Sequence, residues 1–391
     1  MPRSMLDKSV LFLVLIVIMI VVAIVVMISA LRTEPVDEAI KEDRIIKVAI
    51  IFERSGKPAA TEILMYYSSN ARAALLDVPA ETGLIIKSLN RVDRIDALYD
   101  PGAPKAYLDE IQQLAGTVID WYLILDEASL SSLVDLLDGI SAFLPNRVST
   151  VVDDSPVSLP SGQVVLDGRK ALLYAAYQDP DTPDSELVTK RQALYQSALR
   201  RLGERSEFVL RDDVFPTIQR LFRTNLKGES LRRLLHEFGR MEADRIVLQR
   251  LTGAYRSVEG KLLLFPHYDG ELVKDIVKQS LNALLNEGDE AIADKVFTIE
   301  ILNGTSVRGM AQKTAEIFQS FGYEIVSVGN APESDIEKTR VVNRYGDLVA
   351  ATTVANVIRC RIVEDEAIPS ASPADFVIIL GNDFNGRNCV Y

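Results

Sequence analysis

The chain has 391 residues, 48% of them hydrophobic, which is enough for two soluble domains beyond any apolar anchor. A formal charge of −12 excludes broad nucleic-acid binding, because neutralising phosphates takes a basic surface. His236 and His267 are the only histidines and lie in unrelated contexts, which excludes a histidine-based metal site or catalytic triad within the chain.

Residues 1–9 read as a short stub. From Val10 to Leu31 the only polar side chain is Ser29. At about 1.5 Å per residue a helix of this length crosses a hydrocarbon core of roughly 30 Å. The rival is a cleaved signal peptide with Ser29-Ala30 near the cut. Its apolar region would run about 7 to 15 residues, and the position three before the cut would be the bulky Ile28. The expectation is an anchor over 10–31, giving a single-pass protein of the cytoplasmic membrane with an exported C-terminal body. Basic residues flank the run on both sides, so the long body after so short a stub decides the orientation rather than a count of charges. An acidic body is repelled by anionic lipid heads, which leaves the span to hold it at the membrane.

Residues 32–44 form a charged juncture, and a larger domain follows over 45–286. Ile45–Phe52 reads as a strand buried on both faces. Glu62–Tyr67 and Ala71–Val78, joined by the polar turn Ser68-Ser69-Asn70, predict a hairpin. Downstream, Tyr107–Ala115 predicts a helix, Trp121–Leu125 a strand, Leu130–Leu137 a helix, Val164–Leu166 an extended piece, and Gly168–Tyr177 a helix start. Leu187–Leu202 predicts a long amphipathic helix. From Val214 to Leu251 apolar positions recur at helical spacing. Arg220, Arg223, Lys227, Arg232 and Arg233 decorate the outside, either as a solvated face or as a phosphate clamp. Lys261–Pro266 predicts a strand and Leu272–Leu285 a helix. The alternation implies a layered α/β domain with a mixed sheet.

The acidic loop with Asp179, Asp181 and Asp184 offers oxygen ligands for magnesium or calcium. Its spacing matches no twelve-residue calcium loop, and Pro180 and Pro183 suit an exposed acidic turn.

After a polar linker at 287–295, residues 296–386 predict a small βαββαβ unit, followed by a tail over 387–391. Its strands are Phe297–Leu302, Tyr323–Val328, Thr339–Asn343 and Asp375–Leu380; its helices are Met310–Phe321 and Gly346–Ile358. Cys360 and Cys389 either form one disulfide, if the body is exported, or stay two thiols, one in a core and one in a fraying tail.

This last unit carries a resemblance. Ile299–Val307 with its Asn303-Gly304-Thr305 turn, then Gly309, Ala311, Phe318 and Gly322, the run Val326–Ala331, Thr339–Tyr345 and the closing Val377–Asp383 resemble the C-terminal domain of LytR-CpsA-Psr proteins. In the larger domain, Arg94–Tyr99, Gly116–Tyr122, Leu133–Gly139, Leu166-Asp167-Gly168 and Tyr255–Pro266 fall in the order and spacing of that family's main domain.

The resemblance implies transfer of a glycopolymer from a polyprenyl-pyrophosphate carrier to the cell wall. It also implies arginines on the pyrophosphate, magnesium held by aspartates, and an apolar cavity for the lipid. Guanidinium groups and a divalent cation would stabilise the charge that develops on the leaving group. This chain departs from that pattern. Pro58-Ala59-Ala60-Thr61 stands where the family has Arg-Ser-Asp-Thr, and Pro79-Ala80-Glu81-Thr82 where it has Pro-Arg-Asp-Thr. Ala176, Tyr177 and Gln178 replace an Arg-x-Arg element, and of a following basic pair Arg191, beside Gln192, remains while Val188 takes the other place.

The expectation is therefore a non-catalytic binding or scaffolding protein of the cell envelope, without cofactor. Its partners would be wall polymer, polyprenyl-linked glycan or wall-synthesis proteins. Asn303, Gly304, Thr305, Gly309 and Gln192 are the ligand-binding candidates, with turn chemistry as the other role of the first four. The alternative is a working phosphotransferase using Arg191, Glu81 and Arg94 with magnesium.

Overall fold

The computed structural model describes residues 16–20, 34–152, 155–178, 184–285, 296–365 and 374–390. Helix α1 (Pro35–Lys41) leads into a six-stranded mixed sheet built from β1 (Ile46–Arg54), β2 (Lys57–Tyr67), β3 (Arg72–Asp77), β6 (Trp121–Asp126), β11 (Arg223–Thr224) and β12 (Val247–Arg250). Their order is β11-β6-β1-β2-β3-β12. The predicted hairpin is present: β2 and β3 run antiparallel, with Glu62 opposite Asp77 and Tyr67 opposite Arg72. β6 lies parallel to β1, and β12 parallel to β3.

Side chains alternate across a strand, and here both faces are covered. Ile63, Met65 and Leu76 point into one apolar cluster with Tyr107, Ile111, Leu272 and Ile276. Leu64, Tyr66 and Leu75 point into another with Val209, Ile218, Leu234 and Phe238. Helices α2 (Lys105–Ala115) and α9 (Glu271–Leu285) close the first face. Helices α5 (Asp184–Glu204), α7 (Phe215–Leu221) and α8 (Gly228–Arg240) close the second. On α8, Leu231, Leu234, Leu235 and Phe238 recur at helical spacing and are buried. Each such side chain contributes about 1.5–3 kcal/mol by leaving water.

The reading of 214–251 as helical throughout is corrected. α8 ends where Met241 turns extended, and Val247–Arg250 joins the sheet edge beside β3. The arginines of this stretch sit in local pairs, Arg232 over the Phe215 ring at 4.4 Å and Arg233 on Asp37 at 3.0 Å.

A side lobe carries α3 (Glu127–Leu136), β7 (Ile140–Leu144), β8 (Val148–Val152), β9 (Ser155–Leu159), β10 (Gly162–Leu166) and α4 (Gly168–Ala176). β7 pairs with β10 and β8 with β9, both antiparallel. Asp126 and Asp167 cap α3 and α4, accepting from the backbone N–H of Ser129 and Lys170. Two further hairpins pair β4 (Gly83–Ile86) with β5 (Arg91–Arg94), and β13 (Gly253–Val258) with β14 (Lys261–Pro266).

The C-terminal unit has a five-stranded sheet of β15 (Thr298–Asn303), β16 (Glu324–Asn330), β17 (Arg340–Asn343), β18 (Val363–Asp365) and β19 (Phe376–Leu380), in the order β16-β15-β19-β17-β18. It carries α10 (Met310–Ser320) and α11 (Leu348–Val357). The expected βαββαβ order gains the short strand β18, which pairs parallel to β17. The unit packs on the main sheet. An added Cβ at Gly322 would lie 2.6 Å from the Leu248 carbonyl oxygen, and His267 Nε2 lies 3.1 Å from Glu316 Oε2.

The expected membrane location is corrected: among the described residues no helix is long and apolar enough to cross a membrane. Of the run 10–31 only residues 16–20 are described, as helix, and the remainder lies outside the described residues. The linker at 287–295 lies outside them as well.

Candidate functional site

The site grows from the β2–β3 hairpin. Ladder register places Glu62 directly across from Asp77, on the sheet face that also carries Leu64, Tyr66 and Leu75. Both carboxyls are fully buried. From α5, Arg191 reaches down to Asp77, Nη2 to Oδ1 at 3.4 Å. Arg250 stands opposite Asp77 in the β3–β12 ladder. Two acids and two arginines thus meet beneath one helix.

Neither Glu62 carboxylate oxygen nor Asp77 Oδ2 has a hydrogen-bond partner of good geometry among the described residues. Burial, reinforced by the neighbouring Asp77 charge, pushes Glu62 well above the ordinary carboxylate range. Burial also raises Asp77, against the pull of Arg191. Burial holds Arg250 below its usual value although Asp77 favours its charge. The cluster neutralises itself, partly by proton retention and partly by ion pairing.

Above Arg191 opens an apolar cavity of about 110 Å³, walled by Phe52, Ala60, Val134, Ala171, Leu194 and Ala198. Small side chains at 59, 60, 171, 175 and 198 leave this space between the sheet, α4 and α5. Arg191 is one of two charged residues on its wall, Arg54 at the rim being the other. Arg54 is tied to Glu127 at 2.7 Å.

Arg191 and Gln192 are neighbours on α5 with different duties. Gln192 is buried and donates to the Gln249 carbonyl at 2.6 Å, and the Gln249 side chain accepts from Ser280 at 2.8 Å. Glu81 lies in the loop before β4 and accepts from the Tyr255 hydroxyl at 3.3 Å. Arg94 forks onto Asp96, at 2.8 and 3.2 Å. Neither Glu81 nor Arg94 lines the cavity.

In the C-terminal unit, Asn303 Oδ1 accepts from the backbone N–H and hydroxyl of Thr305, at 3.1 and 2.8 Å, and Asn303 Nδ2 donates to the Val307 carbonyl. Gly304 approaches the Leu380 carbonyl too closely for any side chain, and Gly309 sits at φ +76° before α10. These four residues are engaged in turn chemistry. Cys360 and Cys389 are buried side by side as thiols, not joined in the disulfide that one reading expected. Nor is Cys389 in a fraying end: its backbone N–H donates to the Ile358 carbonyl, and it bridges to Phe384.

Asp179 and Asp181 lie outside the described residues, and Asp184 begins α5. The two acids beneath Arg191 do not fit a magnesium ion. Glu62 and Asp77 are buried, resist ionisation and already face two guanidinium groups.

Sequence reasoning reached Arg191 and passed over Glu62, Asp77 and Arg250. The signal was a lone acid in an otherwise apolar strand, at Glu62 before Ile63-Leu64-Met65 and at Asp77 after Leu75-Leu76.

Comparison with known proteins joins these observations. Residues 297–384 match the model described as LytR cell envelope-related transcriptional attenuator. The transferase named Polyisoprenyl-teichoic acid–peptidoglycan teichoic acid transferase TagU of Bacillus licheniformis is 22% identical over 239 residues, which is 59% of this chain and 75% of the relative. The protein of the same name from Bacillus subtilis is 20% identical over 265 residues, 64% of this chain and 84% of the relative. The crystal structure of Bacillus subtilis TagV superposes with a TM-score of 0.53 at 15% identity, over 61% of this chain and 98% of that one, which shows a shared fold. Residues 55–280, more than half of the chain, match the LytR_cpsA_psr model, and the chain belongs to the LytR_cpsA_psr family.

Proposed function

We propose that this protein binds polyisoprenyl-linked cell-wall glycopolymer and holds it without transferring it. The ligand class comes from the relatives, whose names describe polyisoprenyl-teichoic acid transferases. The observation that carries the non-catalytic reading is the engagement of Arg191 with buried Asp77, beside Glu62.

A pyrophosphate entering the cavity would have to displace that contact and approach two buried acids. Replacing one charge-assisted contact with another yields little net gain, since each is worth about 1.5–3 kcal/mol. The positions where the resemblance expects further arginines and aspartates hold Pro58–Ala60 and Ala80-Glu81. Cleavage of a phosphoanhydride needs the developing charge stabilised, and one engaged guanidinium without a fitting metal site supplies little of that. The apolar walls remain suited to an isoprenoid segment. At about 110 Å³ the space is smaller than the roughly 300–1,000 Å³ of typical ligand pockets, so it accepts only part of a chain.

The test uses the full chain with a polyprenyl-pyrophosphate glycan and magnesium. Binding is measured by calorimetry and turnover as release of polyprenyl phosphate. The expected result is binding without release. Release that disappears in Arg191→Ala would establish a transferase instead.

A further inference from the structure

The acid pair and the apolar cavity lie on one face of the sheet, because Ala60, which lines the cavity, stands two residues before Glu62 on β2. Arg191 belongs to both: its guanidinium reaches down to Asp77, and its side chain is part of the cavity wall. At 3.4 Å the Nη2 contact with Asp77 Oδ1 is longer than the roughly 2.7–2.9 Å of a charge-assisted hydrogen bond. The arginine is held mainly by the charge of Asp77, and one proton cancels that charge.

Among the described residues, the groups that face Asp77 come from every element around it. Glu62 stands opposite on β2, Arg191 and Tyr195 reach it from α5, Arg250 from β12, Glu81 from the loop before β4 and Tyr107 from α2. Burial and Glu81 oppose its ionisation, while Arg191 favours it, and Asp77 takes up its proton at a higher pH than a free aspartate. Glu62 keeps its proton well above the ordinary carboxylate range, which leaves Asp77 as the charge that answers Arg191. Lys190 beside Arg191 adds to the local positive field. At the cavity rim Arg54 stays on Glu127.

We propose that Asp77 is a proton-operated lock on the cavity. Ionised, it holds Arg191 against the sheet. Protonated, it frees the guanidinium to take the head of an amphiphilic anion whose apolar part fills the cavity. The exchange breaks one ion pair and makes another, and the proton that neutralises Asp77 comes from solvent. Without that proton an incoming anion meets both the occupied arginine and the repulsion of a buried carboxylate. A neutral ligand makes no use of Arg191, and its binding is not gated. The inference rests on the function proposed above in taking the cavity to hold a ligand, and it adds how that site is regulated.

The probe is butyl sulfate, an amphiphile whose charge stays fixed from weakly acid to neutral pH, titrated into the full chain by calorimetry beside neutral butanol. The sulfate should bind more tightly as pH falls, by about tenfold per pH unit above the midpoint, while butanol binds equally throughout. Above the midpoint, binding should take up about one proton per sulfate, read from buffers of different ionisation heat. Asp77→Asn should bind the sulfate at neutral pH as tightly as wild type does in acid, without proton uptake. The slope that remains in that variant measures the gain from the chain's falling negative charge. Proton uptake is read on the wild-type chain, so the test stands even if Asp77→Asn fails to fold. Absence of sulfate binding at every pH, binding without proton uptake, or a wild-type slope no steeper than that of Asp77→Asn overturns the lock. Gated sulfate binding by a protein that fails to bind the lipid-linked glycan would leave the lock standing and remove the proposed ligand class alone.

Discussion

Glu62 and Asp77 face each other across the β2–β3 ladder with both carboxyls buried, and Arg191 meets Asp77 at 3.4 Å. The guanidinium nearest the cavity is thereby satisfied from inside the protein. Asp77→Asn removes its anionic partner and leaves the arginine facing the cavity. The expected outcome is tighter binding of inorganic pyrophosphate, by about tenfold or 1.4 kcal/mol, in calorimetry. An unchanged affinity would mean that Asp77 does not compete for Arg191.

The same pair sets a pH dependence. Glu62 has a folded-state pKa raised by burial and by Asp77, so the native state keeps its proton where the unfolded chain releases it. Its contribution to stability is complete below about pH 4.3, the unfolded value, and declines as pH rises toward the folded value. Glu62→Gln removes that titration. Wild type and variant should differ least near pH 4. The variant should gain on wild type as pH rises to neutrality, by about 1–3 kcal/mol, the scale of a buried polar group without a partner. Urea melts across that range measure it, and a difference independent of pH would refute the assignment.

Glu237 shows the opposite sign. Although burial opposes ionisation, the Ser68 hydroxyl at 2.6 Å and then Arg233 and Arg240 at 3.0 and 3.1 Å hold its carboxyl below the ordinary value. Its stabilisation is present above about pH 4.3 and is lost as pH falls through the lower folded value. Glu237→Gln should therefore lower stability at pH 7 and lose that deficit under acid conditions, as followed by thermal melts. The two arginines are partly exposed and regain water, so the deficit stays near 1 kcal/mol.

Cys360 and Cys389 give a simpler check. The Cys360 thiol beside it and then burial raise Cys389, and both residues are less than a tenth exposed. A thiolate-specific reagent should label neither in the folded protein and both after denaturation. Rapid labelling of the native chain would show that the C-terminal strand pairing opens readily.

Most elements were legible because their periods are clean: α2, α5, α9, β15 and α10 stand within two or three residues of the predicted bounds. What was not legible depended on partners distant in the chain. Val247–Arg250 is too short to show a period and becomes a strand only because the edge of β3 is open beside it. The β8–β9 hairpin and β18 are equally short. The candidate site failed to show for the same reason. Glu62, Asp77, Arg191 and Arg250 are scattered over some 190 positions and meet only through ladder register and helix packing. The two runs and the polar turn that marked β2 and β3 as a hairpin carried no sign that two acids would be sealed beneath α5.

Gly322 ties the C-terminal unit to the main sheet. It follows α10 with φ +90°, a conformation that disfavours a side chain, and a Cβ there would sit 2.6 Å from the Leu248 carbonyl oxygen of β12. That oxygen belongs to backbone in a paired strand, so it has little freedom to yield. Nearby, Lys313 and Arg387 both lie over the Tyr268 ring, 5.2 and 5.5 Å from its centroid, and Arg387 pairs with Asp275 at 2.5 Å, so the two units also meet through charge. Gly322→Ala combines strained backbone with a backbone clash, and should cost about 1–3 kcal/mol. Because the clash falls between units, the loss should be accompanied by faster amide exchange in β12 and the first turn after α10. A variant in which melting drops while exchange in β12 is unchanged would place the damage inside the C-terminal unit and dissolve the argument for Gly322 as the point of docking.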